Sequence, residues 1–221
     1  MQPKMRAAIL ASAAAVLLGS TVPARVHPHV FAEARLDVMV APDQRVKSLR
    51  HVWRFDELFS STVLMEFDKN SDLKLDDEEL KDVADTVFQS LAEYDYFQFV
   101  TADGKNMEMK APAQLMAYFE QEQLIILFES EPKEPLQLSG NINFGVYDPT
   151  FYTAIDFVED ENMAVENLPA SCTRSVIRPD PDEALAQNQA TLTEAFFNDP
   201  AGTNLSKIFA TRLELNCKTQ G

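Results

Sequence analysis

Apolar residues alternate with polar or larger ones from Val30 to Val40, which predicts a strand with one buried face. Turn-forming residues occupy positions 41–44, and a second alternating stretch runs from Val46 to Phe55. Together the two stretches predict a β-hairpin. One face of the return strand carries four large side chains, those of Leu49, His51, Trp53 and Phe55.

After Phe55 the apolar residues recur every three or four positions, and this spacing predicts helices. A first apolar stripe ends at Phe67, and a second runs from Leu80 to Leu91. Between them lies an acidic loop of twelve residues, Asp68 to Glu79. Two helices around a twelve-residue acidic loop are the layout of an EF-hand, which we place as an insert over residues 55–93.

The acidic loop has oxygen donors at the positions that a calcium-binding EF-hand uses. In loop order, the candidate calcium ligands are Asp68, Asn70, Asp72, Lys74 through its backbone carbonyl, Asp76 and Glu79. The sixth position, which normally needs the positive φ of glycine, is Leu73, so we expect a strained backbone and weak affinity for Ca²⁺. The alternative is an acidic linker that caps the second helix and binds no ion.

The remainder of the chain is rich in short strands. Turn residues between alternating stretches predict three hairpins: 96–100 with 106–109, 115–119 with 124–129, and 141–147 with 151–158 around Asp148-Pro149. A polar stretch over 159–167 precedes a strand at 172–177, a helix at 182–197 and a last strand at 211–217. This order predicts an α+β fold, an antiparallel sheet or sandwich with the inserted helix–loop–helix and a C-terminal helix.

Residues 1–24 predict a secretory signal peptide. Lys4 and Arg6 precede an apolar stretch that is too short to span a bilayer, and Val22-Pro23-Ala24 supplies the small residues of a signal-peptidase site. Cleavage near Ala24 leaves a single β-rich domain, residues 25–221, with no membrane span. We therefore expect the mature chain in a bacterial periplasm or outside the cell.

The composition is acidic, with a formal net charge of −16. Removal of the leader takes away Lys4 and Arg6 and no acidic residue, which lowers the charge to −18. Nucleic-acid binding needs clusters of Lys and Arg that this sequence lacks, so we exclude a nucleic-acid partner. The sequence also lacks a nucleophile elbow, an HExxH helix and a Gly-rich phosphate loop, which favours a protein that is not an enzyme.

The chain has two cysteines, Cys172 and Cys217. An isolated pair in an exported protein predicts a disulfide, worth roughly 4 kcal/mol in the chain-entropy description. The alternative is a catalytic or metal-binding thiol, but neither cysteine has a His or Cys neighbour in sequence. We therefore expect a structural bridge.

All three histidines fall within 25 positions, and they are candidate ligands of a divalent transition metal: His27, His29 and His51. Cleavage after Ala24 makes His27 the third residue, where the α-amine, two amides and the ring form a square-planar set of nitrogens. A carboxylate, Asp56 or Asp156, would complete the shell. In the alternative interpretation His51 is a core residue, because its strand face is apolar.

Several segments together resemble the domain-of-unknown-function 1007 family of exported bacterial proteins. The segments are His27-Pro28-His29-Val30-Phe31, His51-Val52-Trp53, Phe55 to Ser60, the acidic loop, Tyr94 to Phe97, Val146 to Pro149 and the late cysteines. The family is usually labelled the periplasmic component of an ABC-type transport system, and it is similar to proteins found beside nickel/cobalt-type permeases. The resemblance implies a role in transition-metal traffic, with a metal-ion permease of the inner membrane as partner.

Two functions compete on these observations. The first is a metal-binding accessory protein that captures or delivers nickel, cobalt, zinc or copper through its histidines, with the acidic loop as a separate calcium site. The second is an exported binding or structural module that calcium stabilises, with histidines that only fix the amino terminus. Replacing His27 and His29 by alanine discriminates between the two.

Overall fold

The computed structural model of this protein describes residues 28–192 and 206–218, so the predicted signal peptide and His27 lie outside the described residues. The strands are β1 Val30–Val40, β2 Val46–Phe55, β3 Gln98–Ala102, β4 Lys105–Met107, β5 Leu115–Glu120, β6 Gln123–Ser130, β7 Gly140–Val146, β8 Thr153–Asp156, β9 Met163–Glu166, β10 Cys172–Ile177 and β11 Arg212–Cys217. The helices are α1 Glu57–Phe67, α2 Asp77–Leu91 and α3 Pro181–Asn188, with 3₁₀ turns at Ala92–Phe97, Asp160–Asn162 and Ser206–Phe209.

The strands form two sheets. The first has the order β5-β6-β2-β1-β8, with β9 also paired to β1, and the second has the order β10-β11-β7-β3-β4. Neighbouring strands are antiparallel except for β8 and β9, which run parallel to β1. The predicted α+β class, with antiparallel sheets, a helix–loop–helix and a C-terminal helix, is confirmed.

Both sheets contribute to one hydrophobic core. Every second residue of β1 is buried, as its alternating sequence predicts. The largest fully buried side chains come from the two sheets alike, and they include Leu36, Trp53, Ile126, Ile142, Phe144 and Leu215. Full burial of one such side chain contributes about 1.5–3 kcal/mol. A polar contact also crosses the core, because Ser130 Oγ in β6 donates to Gln98 Oε1 in β3 at 2.6 Å.

The helix–loop–helix insert follows β2 directly. Asp56 is the N-cap of α1, and its Oδ1 accepts a hydrogen bond from the Phe59 amide at 2.9 Å. A capping box starts α2, since Asp76 Oδ1 accepts from the Glu79 amide and Glu79 Oε2 accepts from the Asp76 amide. The two helices contact each other, α1 contacts β6 and α2 contacts β5. The insert therefore packs on the first sheet.

Cys172 and Cys217 lie opposite each other in β10 and β11 and form the predicted disulfide. The bridge joins residues 45 positions apart, so it fixes the last described strand to the second sheet. Such a bond is compatible with an exported protein. Within the described residues no helix combines the length and apolar character needed to cross a membrane.

The predicted hairpin around Asp148-Pro149 is wrong. β7 belongs to the second sheet, while β8 joins the first sheet beside β1. Asp148 is buried and its carboxylate accepts hydrogen bonds from the amides of Thr150 and Thr153. These bonds shape a crossing between the sheets in place of a tight return.

Three other elements differ from their predicted bounds. The polar stretch 159–167 contains β9, a four-residue strand too short to give a clear alternating pattern. The predicted helix 182–197 ends at Asn188, where the Asn188 side chain bonds back to the Ala184 carbonyl at 2.8 Å; residues 193–197 lie outside the described part of the chain. The third strand starts at Gln98, because the preceding residues form a left-handed turn.

Candidate metal sites

The acidic loop has the backbone turn expected of a calcium-binding loop. Leu73, at the sixth position, has a φ of 63°, in the left-handed region. Asp68, at the first position, accepts from the Leu73 amide at 2.8 Å and from the Asp72 amide at 3.2 Å. A left-handed non-glycine residue costs roughly 1–2 kcal/mol, and the Leu73 side chain is 76% exposed, so packing offsets little of that strain.

Glu79, at the twelfth position, closes the loop on itself. Its side chain is buried, at 3% exposure. One carboxylate oxygen accepts from the Lys69 amide at 2.8 Å and the other from the Asp76 amide at 2.9 Å. Backbone donors on both oxygens make the burial of this carboxylate tolerable, and they bring the end of the loop beside its start.

The middle of the loop consists of two tight local turns. Asn70 Oδ1 accepts from the Asp72 amide at 2.8 Å, and Asp72 Oδ1 accepts from the Lys74 amide at 2.9 Å. The carboxylates at the four acidic ligand positions, Asp68, Asp72, Asp76 and Glu79, are thus each held by backbone N–H groups. Across residues 28–192 and 206–218, no three His, Cys, Asp or Glu side chains are gathered closely enough to hold a metal ion.

The charge on the loop favours a cation. Six carboxylates and two lysines lie between Asp68 and Glu79. The Lys69 ammonium pairs with Asp82 on α2, away from the loop, and this hydrogen bond lowers the pKa of the Asp82 carboxyl. The loop therefore keeps a local excess of negative charge, and its side-chain donors are hard oxygens, the ligands that Ca²⁺ prefers.

The two described histidines are far apart. His29 is exposed at the start of β1, where its amide donates to the Tyr152 carbonyl at 2.8 Å and its ring lies 5.0 Å from the Tyr152 ring. His51 is paired with Leu36, six residues along β1 from Val30, which is about 20 Å of strand. One ion cannot bridge that distance, so the interpretation of His51 as a ligand beside His29 is wrong.

His51 is a core residue, as the alternative interpretation held. It is 1% exposed and its ring stacks on Phe128 with the centroids 4.3 Å apart. Neither ring nitrogen has a hydrogen bond of acceptable geometry among the described residues. Burial lowers the pKa of His51 from 6.5 to about 3, and the nearby Gln98 side chain opposes this change only in part. The imidazole is therefore neutral at physiological pH.

The two carboxylates proposed to complete the histidine shell have different positions. Asp56 caps α1, and its second oxygen accepts from the Phe31 amide at 2.8 Å, so both of its oxygens bond backbone donors. Asp156 lies opposite Glu33 at the far end of β8, three residues or about 10 Å from the end that adjoins His29. Of the two, only Asp56 belongs to the same end of the sheet as His29.

Sequence reasoning missed a strained turn beside the insert. Asp95, Tyr96 and Phe97 have φ values of 50°, 55° and 58° in succession. No glycine or asparagine marks such a run, so the sequence gives no warning of it.

Two buried polar groups were also not predicted from the sequence. One is the indole N–H of Trp53, which has no hydrogen-bond partner among the described residues, and the other is the carboxylate of Asp148. The Asp-Pro-Thr sequence at 148–150 was the available signal for the latter, as a side-chain-capped turn.

The fold and these sites define a two-sheet β protein with a helix–loop–helix insert and one disulfide. The chain belongs to the family described as protein of unknown function DUF1007, whose model matches residues 12–217. This result confirms the family resemblance drawn from the sequence motifs. The family description assigns no activity, ligand or partner.

Individual relatives add little to that assignment. The chain is 24% identical over 196 residues to an uncharacterized protein of Haemophilus influenzae, covering 87% of this chain and 91% of the relative. Among solved structures, AChBP from Bulinus truncatus aligns over 86% of this chain and 85% of its own, with 11% identity and a TM-score of 0.32. A score that low carries no argument about this protein.

Proposed function

We propose that this protein is an exported metal-binding module whose acidic loop, residues 68–79, binds Ca²⁺. The observation that carries the proposal is the left-handed backbone of Leu73, held by the Asp68 carboxylate. An acidic linker has no need of that conformation, whereas the sixth position of a calcium loop requires it. The ion would be held by the side chains of Asp68, Asn70, Asp72, Asp76 and Glu79 and by the carbonyl of Lys74.

Calorimetric titration of the mature protein with CaCl₂ tests the site. We expect a Kd of roughly 10⁻⁴–10⁻³ M, the range of extracellular modules. Glu79→Gln removes a charge from a ligand position and should weaken binding at least about tenfold, which corresponds to about 1.4 kcal/mol. Glu78→Gln is the matched control, because Glu78 precedes it in the loop at a position that contributes no ligand.

Two results would refute the calcium proposal. One is the absence of any heat up to about 10 mM CaCl₂, beyond the weak limit of such modules. The other is an equal loss of affinity in Glu79→Gln and Glu78→Gln, since a diffuse acidic surface would respond to both substitutions alike.

A second candidate function is transition-metal capture at the amino terminus, with delivery to or from a metal-ion permease. The supporting observation is the position of His29, exposed at the start of β1 two residues after His27. The hydrogen bond from its amide to the Tyr152 carbonyl anchors the point where the amino-terminal segment meets the sheet. The permease partner rests on the family resemblance alone.

Titration of the mature protein with Ni²⁺ and Cu²⁺ tests this second function, after its first residue has been identified by amino-terminal sequencing. His27→Ala combined with His29→Ala should abolish binding and leave the calcium response intact. His51→Leu is the control and should bind both metals normally, because His51 lies in the core. Persistence of binding in the double variant would exclude the amino-terminal site.

A further inference from the structure

A cavity of about 390 Å³ opens between the helix–loop–helix insert and the first sheet. Its walls come from α1, α2, β2, the strained turn after α2 and the crossing segment around Asp148. The volume falls within the range of small-molecule sites, which are usually concave, mainly apolar and formed before the ligand arrives. The cavity does not include the acidic loop or His29, although one of its lining residues, Tyr152, contacts the His29 ring.

Aromatic rings dominate the lining of this cavity. They belong to Trp53, Phe55, Phe59, Phe67, Tyr94, Phe97 and Tyr152. The Phe97 ring stacks on Trp53 with the centroids 6.1 Å apart, and Phe97 is the last residue of the left-handed turn. Three successive left-handed residues are costly, and strain of this kind concentrates at functional sites.

The charges around the cavity are of one sign. Glu66 and Asp148 line it, whereas no lysine, arginine or histidine among residues 28–192 and 206–218 does. Neither acid has an ion-pair partner within the described part of the chain. Asp148 is only 4% exposed and is held by the amides of Thr150 and Thr153 and by the Thr150 hydroxyl. Two carboxylates without counter-ions attract a positively charged ligand and disfavour an anion.

We propose that this cavity binds a small organic cation, an amine carried on an aromatic or aliphatic body. The aromatic walls bury the apolar body, and the faces of Trp53, Tyr94 and the phenylalanines attract the ammonium group. Glu66 and Asp148 supply the complementary charge. No residue of the cavity lining is a proposed ligand of calcium or of a transition metal, so the proposal does not rest on either metal site.

A matched series of probes tests the proposal: 2-phenylethylamine, 2-phenylethanol and phenylacetate, which share a benzene ring and differ in charge. Trp53 is the only tryptophan of the chain and lies in the cavity wall, so its emission on excitation at 295 nm reports entry of a ligand. We expect saturable changes, with a Kd for the amine at least about fivefold below that for the alcohol and no measurable binding of the carboxylate.

Two pairs of variants locate the site. Val87→Phe places a larger side chain in the cavity wall and should abolish binding, whereas Val158→Phe makes the same change at an exposed residue outside it and should have no effect. Glu66→Gln should bring the amine and the alcohol to within about twofold of each other, and Glu78→Gln should leave their ratio unchanged. Glu66→Gln changes an exposed side chain, so it keeps the test valid if Val87→Phe fails to fold.

Any of three results would overturn the proposal. They are the absence of a saturable change with all three probes, binding of phenylacetate as tight as that of the amine, and unchanged binding of the amine in a folded Val87→Phe variant.

Discussion

This protein is expected to lose stability in mild acid, and replacing His51 by leucine is expected to remove much of that loss. The ring is buried, is stacked on Phe128 and has a pKa lowered by burial from 6.5 to about 3. In the unfolded chain the same ring titrates near pH 6.5. Between these two pKa values the unfolded state binds a proton at His51 and the folded state does not, so acid favours unfolding.

The size of the effect follows from the two pKa values. Above pH 6.5 the ring is neutral in both states and contributes no pH dependence. Below that, the free energy of unfolding falls by about 1.4 kcal/mol per pH unit, which amounts to about 3 kcal/mol at pH 4.5 and about 5 kcal/mol near pH 3. The loss stops below the folded pKa, where both states are protonated. Since domains are stable by about 5–15 kcal/mol, one histidine makes this protein acid-sensitive.

Urea unfolding followed by circular dichroism at pH 7.0 and at pH 4.5 measures the effect. Carboxylates also titrate in this interval, so the informative quantity is the difference between wild type and His51→Leu. We expect the variant to lose about 3 kcal/mol less than wild type, a midpoint difference of about 1 M urea at a typical slope of about 2–3 kcal/mol/M. His51→Gln, which is polar and does not titrate, should behave like His51→Leu.

His29→Gln is the control for that experiment, because His29 is exposed at the start of β1. It should keep the pH dependence of wild type. Parallel pH profiles for wild type and His51→Leu would refute the reasoning, since they would mean that the folded protein protonates His51 as readily as the unfolded chain does.

Three further predictions concern the backbone and the disulfide. A Cβ at position 145 would overlap the ring of Phe99, so Gly145→Ala should lower the free energy of unfolding by about 1–3 kcal/mol, measured by urea titration. Replacing Cys172 and Cys217 by serine should lower it by about 2–4 kcal/mol, and reduction of the wild type should give the same loss. Leu73→Gly should raise it by about 0.5–1 kcal/mol in calcium-free buffer, because glycine adopts the observed φ of 63° without strain.

The elements that the sequence predicted well are those whose signals are local. The hairpin of β1 and β2 follows from the strict alternation of β1 and from the shared face of large side chains on β2, and its observed bounds match the prediction. The insert follows from a change of apolar spacing around a twelve-residue loop, and Asp56 and Asp76 cap its helices through bonds to residues two or three positions away. Interactions within a few residues leave their pattern in the sequence.

What the sequence did not reveal depends on contacts between distant residues. The crossing after β7 looks like a hairpin turn, because Asp148-Pro149 favours a turn whichever sheet the next strand joins. The left-handed run at Asp95–Phe97 is held by its surroundings, since Phe97 stacks on Trp53 and Tyr96 lies 6.3 Å from Phe128. Tertiary packing alone selects these conformations over the strand that propensity favours.

The histidines show the same limit in the chemistry of a site. Scarcity and closeness in sequence grouped His51 with His29, but the hairpin register pairs His51 with Leu36, six residues along β1 from Val30. The acidic loop could be predicted more fully, because all its candidate ligands lie within twelve consecutive residues. The cavity is the opposite case: Trp53, Tyr94 and Asp148 come from three separate segments, and each has an ordinary role in packing or turns when read alone. Only their assembly creates a negatively charged aromatic cavity. The probe series, in which the ring is constant and the charge varies, therefore tests a property that no single motif of the chain could have predicted.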